Sequence, residues 1–429
     1  MARGARWRRW VVVAIVAVPL ALAGAFFIMG AVLERRLVAE ANAILGAPHP
    51  RPVHVDAMVP GSFGEALTPH LAAIEKAATA FWEDEPEREA LPAVLRGERP
   101  LSDLPARVQG DLVRLGGALD GVLRATHAAR ADYASVEDGF DPSPGTTGVA
   151  FQYAAALAAI RIRSAVERGD TVRATADCLD GLALARDEGV AGGLIGRMVG
   201  TVIITRLAYA CVEALSAAPA AERSAAISRL RTLRDTIPGL DTMMREEAAW
   251  MQLMIHAPDL PATRRGELLS RPRLVAEAGR RNPNPLAKRI LYRAAWPFTR
   301  ARYAELIRIA ALPAPQRDAA LEALGAAASS FTPDPAAWLR YFRRADAAIR
   351  ELDLVIAGAA AKLHRERQGD WPADCAALAK EGLLTDAEAA HIGAARLVPA
   401  ADGALELGLK LPRVSADQPE RVVTVRVAP

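Results

Sequence analysis

A run of 24 residues without a charged side chain, residues 10–33, constrains this chain more than any other feature. A bilayer core about 30 Å thick needs about 20 apolar residues at helical rise, so the run is long enough to span a membrane. Its flanks are Arg3, Arg6, Arg8 and Arg9 on one side and Glu34, Arg35 and Arg36 on the other. Because positive charge is retained on the cytoplasmic side, the bias predicts a cytoplasmic amino terminus and an exported body.

A cleaved signal peptide is the alternative interpretation of this run. Ala21-Leu22-Ala23 satisfies a small-x-small cleavage pattern, but the apolar run continues for ten residues beyond it. Since the apolar region of a signal peptide is only about 7–15 residues long, the sequence favours an uncleaved, single-pass anchor in a bacterial inner membrane, with the body in the periplasm.

The balance of charge argues against a nucleic-acid partner. Only five of the 53 basic residues are lysine, which is typical of coding bias in a GC-rich genome, and 50 acidic residues nearly balance them. The three cysteines, Cys178, Cys211 and Cys375, include no C-x-x-C pair, which excludes a disulfide framework and an ordinary zinc site. Cys178 and Cys211 could pair if their helices are adjacent, but buried thiols are the favoured interpretation.

Hydrophobic periodicity divides the chain into four parts and predicts a mainly α fold. The parts are the tail and transmembrane helix (1–40), a proline-rich linker (41–63), a helical body (64–335), and a long helix with short strands (336–429). Thr68-Pro69 is the expected N-terminus of the first body helix, and a longer helix is expected from Pro105 to Val136. Alternating leucines from Leu405 and valines from Val422 predict two or three strands, and hence a small α+β C-terminal module.

The best-patterned part of the body is a helical hairpin. Helices over residues 149–168 and 171–188, joined by a Gly169-Asp170 turn, are typical of a tetratricopeptide-like hairpin, of which one copy is visible. Three glycines four residues apart then form a predicted helix-packing ridge: Gly192, Gly196 and Gly200. Arg197 and Arg206 interrupt this helix, so it is predicted to pack inside the body and not to form a second span.

Three segments carry a resemblance to a known kind of protein. They are the hairpin 161–187 leading into Leu194–Gly200, the stretch Trp296-Pro297-Phe298 followed by residues 302–306, and the helix 346–365 leading to Gly369-Asp370-Trp371-Pro372. They resemble uncharacterised, single-span, membrane-anchored exported proteins of planctomycetes and some proteobacteria.

The last segment is also similar to type II secretion pseudopilins, in which a long helix ends at a Gly-x-aromatic-Pro corner. In a pseudopilin the span directly precedes that helix, whereas here the whole body intervenes. The resemblance implies an anchored helical body and carries no assigned activity.

No catalytic, cofactor-binding or metal-binding residues are predicted. The seven histidines are scattered, and neither H-E-x-x-H nor a phosphate-binding glycine loop occurs. Asp177 and Asp180 lie one helical turn apart, but Arg173 precedes Asp177 by four residues, so an ion-paired helix face is the favoured interpretation. Convergence of both aspartates with a histidine in one cleft would instead favour an enzyme.

The most suggestive surface is a cationic stretch from Arg264 to Arg308, with twelve basic residues against three acidic ones. Such a surface attracts anionic lipid headgroups at about 1 kcal/mol per basic residue. The expected contact residues are Lys288, Arg289, Arg293, Trp296, Arg300 and Arg302. The competing interpretation is that these arginines form ion pairs with acids elsewhere in the fold, such as Glu246 and Glu247 or the acidic patch Glu83–Glu89.

The leading functional hypothesis is a membrane-anchored, periplasmic, non-enzymatic scaffold or assembly protein. Its expected partners are the membrane, through the anchor, and a protein of the envelope, with no cofactor and no nucleic acid. The alternatives are an envelope hydrolase with an unrecognised site, and a component of a pseudopilin-like export system.

Overall fold

The computed structural model describes residues 17–18, 20–21, 24–25, 28, 31–33, 35–46, 59–83, 85–130, 148–190, 193–256, 285–325, 335–411, 413 and 421–429. Over these residues the protein is mainly helical, with a small sheet at the C-terminal end, as the periodicity predicts. Most of the N-terminal uncharged run and residues 264–284 of the cationic stretch lie outside them.

The helices and strands follow one another in three groups. The first is β1 (Val59–Ser62), α1 (Phe63–Trp82), α2 (Glu85–Leu95), a 3₁₀ turn (Leu101–Asp103), α3 (Ala106–Arg114), α4 (Gly116–Ala125) and β2 (Ala128–Arg130). The second is α5 (Gly148–Glu167), α6 (Thr171–Glu188), α7 (Gly193–Ala217), α8 (Ala220–Asp235) and α9 (Leu240–His256). The third is α10 (Pro285–Ala310), α11 (Ala314–Gly325), α12 (Pro335–Gln368), α13 (Cys375–Lys380), α14 (Asp386–His391), β3 (Arg396–Pro399), β4 (Leu405–Leu411) and β5 (Arg421–Val427).

Helix α7 lies at the centre of the main hydrophobic core. It packs against α5, α6 and α12, and its Ile203, Ile204 and Leu207 are fully buried. A second cluster of buried side chains, around Trp338 and Phe342, joins α9, α10, α11 and the first part of α12. Because α12 contributes to both clusters, it connects the two halves of the body.

The predicted hairpin is confirmed as two helices around the expected turn. Gly169 has a φ of 75°, a conformation that side chains other than glycine rarely adopt, and Asp170 caps α6 by accepting a hydrogen bond from the Arg173 amide at 3.2 Å. Cys178 of α6 and Cys211 of α7 form a disulfide, with Cα atoms 5.3 Å apart. The preference for buried free thiols was therefore wrong for this pair, because α6 and α7 are adjacent along much of their length.

The C-terminal strands form an antiparallel sheet in the order β3-β4-β5, so the alternation of leucines and valines is confirmed. Leu405, Leu407, Leu409 and Leu411 face the core. At the corner that follows α12, Gly369 has a φ of 88° and the indole of Trp371 donates to the carbonyl of Gly403 at 3.0 Å. The sheet is thereby held against α12.

Three predicted boundaries differ from the structure. Helix α1 begins at Phe63 and not at Thr68-Pro69, because Ser62 and Glu65 form a capping box, in which the Ser62 amide donates to Glu65 at 2.8 Å. The helix expected up to Val136 is two helices, α3 and α4, followed by β2, which pairs in parallel with β1. The linker was expected to begin at residue 41, but residues 41–45 are helical. Ala41, in this helical part, is buried.

Within the described residues, two helices are long and apolar enough to cross a membrane, α5 and α7. In their most apolar windows, 72% and 67% of the residues are buried inside the protein. That burial favours core helices, since a helix that faces lipid exposes its apolar side chains.

Candidate functional site: a groove along the edge strand

The described part of the molecule contains a groove of about 800 Å³ between β5, α7 and the end of α2. Strand β5 forms one wall along most of its length, from Arg421 to Arg426. The other lining residues come from α7, from α2 and the turn after it, and from β4: Val202, Thr205, Arg206, Ala208 and Tyr209; Pro92, Leu95, Arg96, Gly97 and Glu98; and Glu406. The groove is therefore bounded by a strand on one side and by helix and turn residues on the other.

Strand β5 is an edge strand of its sheet. It pairs with β4 from Leu405↔Val427 to Leu411↔Arg421, and the strand order shows no neighbour on its other side among the described residues. In an antiparallel pair, every second residue directs its N–H and C=O groups away from the partner strand. The groove side of β5 thus presents a row of backbone donors and acceptors, the feature that allows another chain to pair with an edge strand.

Arg206 provides a positive charge on the α7 side of the groove. Its guanidinium carbon lies 6.0 Å from the centre of the Trp82 ring, within the range of a cation–π contact. Burial lowers the pKa of Arg206 to about 10, so the side chain is still charged at neutral pH. Across the described portion of the chain, no carboxylate forms an ion pair with it.

The other arginines of the groove each have an acidic partner. Arg96 donates to Glu98 at 2.9 Å (Nη2–Oε2), and Arg426 pairs with Asp402. Arg421 lies 2.9 Å from the carboxylate of Glu351, which is 1% exposed. Burial raises the pKa of Glu351, and the nearby Arg421 opposes that shift. Arg206 is therefore the groove arginine whose charge remains available to a ligand.

Tyr209, one helical turn after Arg206 in α7, adds a neutral hydroxyl to the groove. Burial, followed by the nearby carboxylate of Glu213, raises the pKa of Tyr209 to about 12. Arg163 stacks on the Tyr209 ring at 5.5 Å and donates to Glu213 at 2.8 Å, which fixes the ring between them. Gly97 lies directly against the ring, where a Cβ atom would overlap it. The groove combines an arginine without an acidic partner among the described residues, a neutral hydroxyl and backbone groups, all of which can contact a ligand.

Trp296, Arg300 and Arg302 are the predicted contact residues whose side chains the structure describes, and they do not line this groove. The side chains of Lys288, Arg289 and Arg293 lie outside the described part of the chain, although α10 includes their backbone. Trp296 was expected on the surface as a lipid contact, but its side chain is buried. Arg300 is exposed, and Arg302 donates to the carbonyl of Leu324 at 2.9 Å.

The two acids proposed as ion-pair partners for that stretch also contact the start of α7. The carboxylates of Glu246 and Glu247 accept hydrogen bonds from the amides of Gly193 and Leu194, at 3.1 Å and 3.2 Å. They therefore cap the first turn of α7, where the amide groups lack helical partners.

Gly200, the last glycine of the predicted ridge, lies on the face of α7 that contacts α6. A Cβ atom at Gly200 would overlap the carbonyl oxygen of Ala185, so the two helix backbones are in direct contact there. Gly196 is also buried, and Gly192 lies outside the described residues.

The two aspartates of α6 have different partners. Arg173 contacts Asp177 at 3.2 Å, which confirms the ion-paired helix face, and Arg161 donates to the same carboxylate at 2.8 Å. Asp180 instead contacts the ring of His127 (Nε2–Oδ1, 2.8 Å). A histidine and one aspartate therefore meet, while arginines hold the other aspartate.

Sequence reasoning missed the groove. Arg206 was noticed only as a charge that interrupts an apolar helix, and that interruption was the available signal of a special role. The position of β5 at the edge of the sheet depends on pairing between distant segments, which periodicity does not report.

No protein-family model matches this chain, and searches of curated proteins and of solved structures also found no significant match.

Proposed function

We propose that this protein is a membrane-anchored scaffold or assembly protein whose body lies in the periplasm and holds a partner protein in the groove along β5. The observation that carries the proposal is the edge strand bordering a groove with an uncompensated arginine. Addition of a peptide strand to an exposed sheet edge is a recurring mode of protein recognition.

Two further observations support the proposed location. In the uncharged N-terminal run, large apolar side chains are exposed, as at Leu20 (66%) and Ile28 (68%), which suits contact with lipid. The Cys178–Cys211 disulfide suits an exported body, because disulfides form and persist in oxidising compartments. The α5–α6 hairpin, proposed as tetratricopeptide-like, would then be part of the rigid body that presents the groove.

Affinity purification of the full chain from crosslinked, detergent-solubilised membranes tests the scaffold role. A C-terminal tag should recover at least one envelope protein in amounts comparable with the chain itself. A tagged, unrelated single-span protein is the control for nonspecific recovery. If no protein is enriched over that control with crosslinkers of different lengths, the scaffold role is contradicted.

An envelope hydrolase is a second candidate, and the His127–Asp180 contact is the observation in its favour. A carboxylate bound to one ring nitrogen orients a histidine for general-base catalysis. Hydrolysis of short-chain nitrophenyl esters by the purified chain, lost in His127→Gln, would support this candidate. Activity that is absent, or equal in the variant, would remove it.

A further inference from the structure

We propose that the groove binds an extended, acidic segment of the partner, which adds as a further strand to β5 and places a carboxylate against Arg206. This inference rests on the proposed scaffold function and names the chemistry of the partner. It commits to a peptide strand, because β5 offers a repeat of amide donors and acceptors that matches another peptide backbone.

The size of the groove agrees with a short strand. A residue in a strand advances about 3.3 Å, lies about 4.8 Å from the next strand, and occupies a layer about 10 Å thick, which amounts to about 160 Å³. A groove of about 800 Å³ therefore holds about five residues. Strand β5 has 7 residues, enough to pair with all of them.

The charge of the groove selects an acidic segment. Glu98, Glu351 and Asp402 already compensate the other three arginines of the groove. One further carboxylate, Glu406 on β4, lines the groove, but within the described residues it forms no ion pair with Arg206, which has no acidic partner there. A guanidinium group that is partly removed from water forms stronger hydrogen bonds with a carboxylate than with a neutral acceptor. A basic segment would instead place like charge beside Arg206.

The groove also offers apolar contacts between its polar groups. Leu95 and Val202 line the helical side, and Val422 on β5 is 55% exposed. Because side chains alternate between the two faces of a strand, a segment that alternates acidic and apolar residues can satisfy both kinds of contact.

A heptapeptide of alternating valine and glutamate, labelled with a fluorophore, is the direct probe. We expect it to bind the full chain in detergent micelles, whereas a matched valine–lysine heptapeptide should bind at least about tenfold more weakly. Two versions of the acidic probe, N-methylated at odd or at even positions, test strand addition on the wild-type protein. Only one set of amides can face β5, so one version should lose about tenfold or more in affinity and the other should keep it.

Arg206→Gln tests the assigned contact. We expect it to weaken binding of the acidic probe about tenfold to a hundredfold, because a charge-assisted hydrogen bond is lost. Arg229→Gln, at an exposed position of α8 outside the groove, is the matched control and should bind as the wild type does. The circular dichroism of each variant checks that the fold is unchanged.

Four results would overturn the inference. Two concern charge: no binding of the acidic probe up to about 1 mM, or binding of the basic probe with the same affinity. The other two are an equal loss of affinity in both N-methylated probes, and wild-type affinity in a folded Arg206→Gln variant. Failure of the scaffold role is distinguishable. If the wild-type chain recovers a partner from membranes and Arg206→Gln recovers it equally well, the scaffold role stands and the groove assignment is wrong.

Discussion

Cys178 of α6 is joined by a disulfide to Cys211 of α7, at the centre of the hydrophobic core. Both residues are fully buried, and the bridge links two helices that both pack against α5, while α7 also packs against α12. It connects the central helix of the fold, which carries Arg206, to the hairpin beside it. The bond therefore constrains the helix that forms one side of the groove.

Replacing both cysteines with alanine should lower the free energy of unfolding. A bridge between residues 33 positions apart restricts the unfolded chain by about 3 to 4 kcal/mol. Thermal denaturation of the full chain in detergent, with and without reductant, measures the effect. Cys375→Ala removes the buried free thiol and is the control, because it keeps the bridge and should respond to reductant as the wild type does. An equal response to reductant in the double variant and the wild type would contradict the bridge.

A C-terminal fusion to alkaline phosphatase should be active and should fractionate with membranes. Arginines precede the uncharged run, and basic residues remain on the cytoplasmic side, so the body should be exported. An inactive fusion would mean that the orientation is reversed. Activity in the soluble periplasmic fraction would mean that the anchor is cleaved.

Gly200→Ala should destabilise the protein by about 1 to 3 kcal/mol, because the added Cβ atom overlaps the backbone of α6 at Ala185. Gly110→Ala in α3 is the matched control, since an added Cβ atom meets nothing there and alanine favours the helix by about 0.5 to 1 kcal/mol. Thermal denaturation of both variants should therefore show shifts of opposite sign. If both variants are less stable than the wild type, the cause is an effect other than contact with α6.

Glu388→Gln should cost about 3 kcal/mol of stability at neutral pH, because it leaves Arg231 without its charged partner. Glu388 is fully buried, and Arg231 donates to its carboxylate twice, at 2.8 Å and 2.9 Å. Asp386→Asn, at the exposed start of the same helix, is the control and should cost less than about 1 kcal/mol. Chemical denaturation at pH 7 compares the two variants.

The stabilising effect of Glu388 should also depend on pH. Burial by itself raises the pKa of this carboxyl, but hydrogen bonds from Arg231 and the Thr385 amide outweigh burial, and the pKa is below the ordinary 4.5. The folded state therefore favours the ionised form. This stabilisation is complete above pH 4.5 and is lost as the pH falls through the lowered pKa. The stability difference between wild type and Glu388→Gln should accordingly shrink below pH 4.5, and a difference that grows there would contradict the ion pair.

The cationic stretch should contact anionic lipid if its arginines are on the surface. In proteoliposomes with anionic lipid, trypsin should cleave residues 264–281 more slowly than in neutral ones, and added salt should abolish the protection because screening shortens the attraction. Changing Arg289, Arg293 and Arg300 to glutamate should remove the protection without loss of helix content. Because Arg300 is exposed, unfolding of that variant would instead identify Arg289 or Arg293 as an internal ion-pair partner.

Local patterns in the sequence were enough to predict the helical hairpin and the C-terminal strands. The Gly169-Asp170 turn depends on residues adjacent in the chain, because glycine allows the positive φ and aspartate caps the next helix. The alternation from Leu405 onward follows directly from the two faces of a strand. The Arg173–Asp177 ion pair was equally predictable, since residues four apart meet on one helix face.

Other features were decided only by tertiary structure, because they join segments that are distant in the chain. Ala128–Arg130 is a strand, and not part of a helix, because it pairs with β1. Cys178 meets Cys211 because α6 packs along α7. The groove depends on such packing throughout: β5 is an edge strand only through its pairing with β4, and Arg206 reaches the groove only because α7 lies beside that strand. Periodicity determines which face of an element is buried, but contacts between elements determine what that face meets.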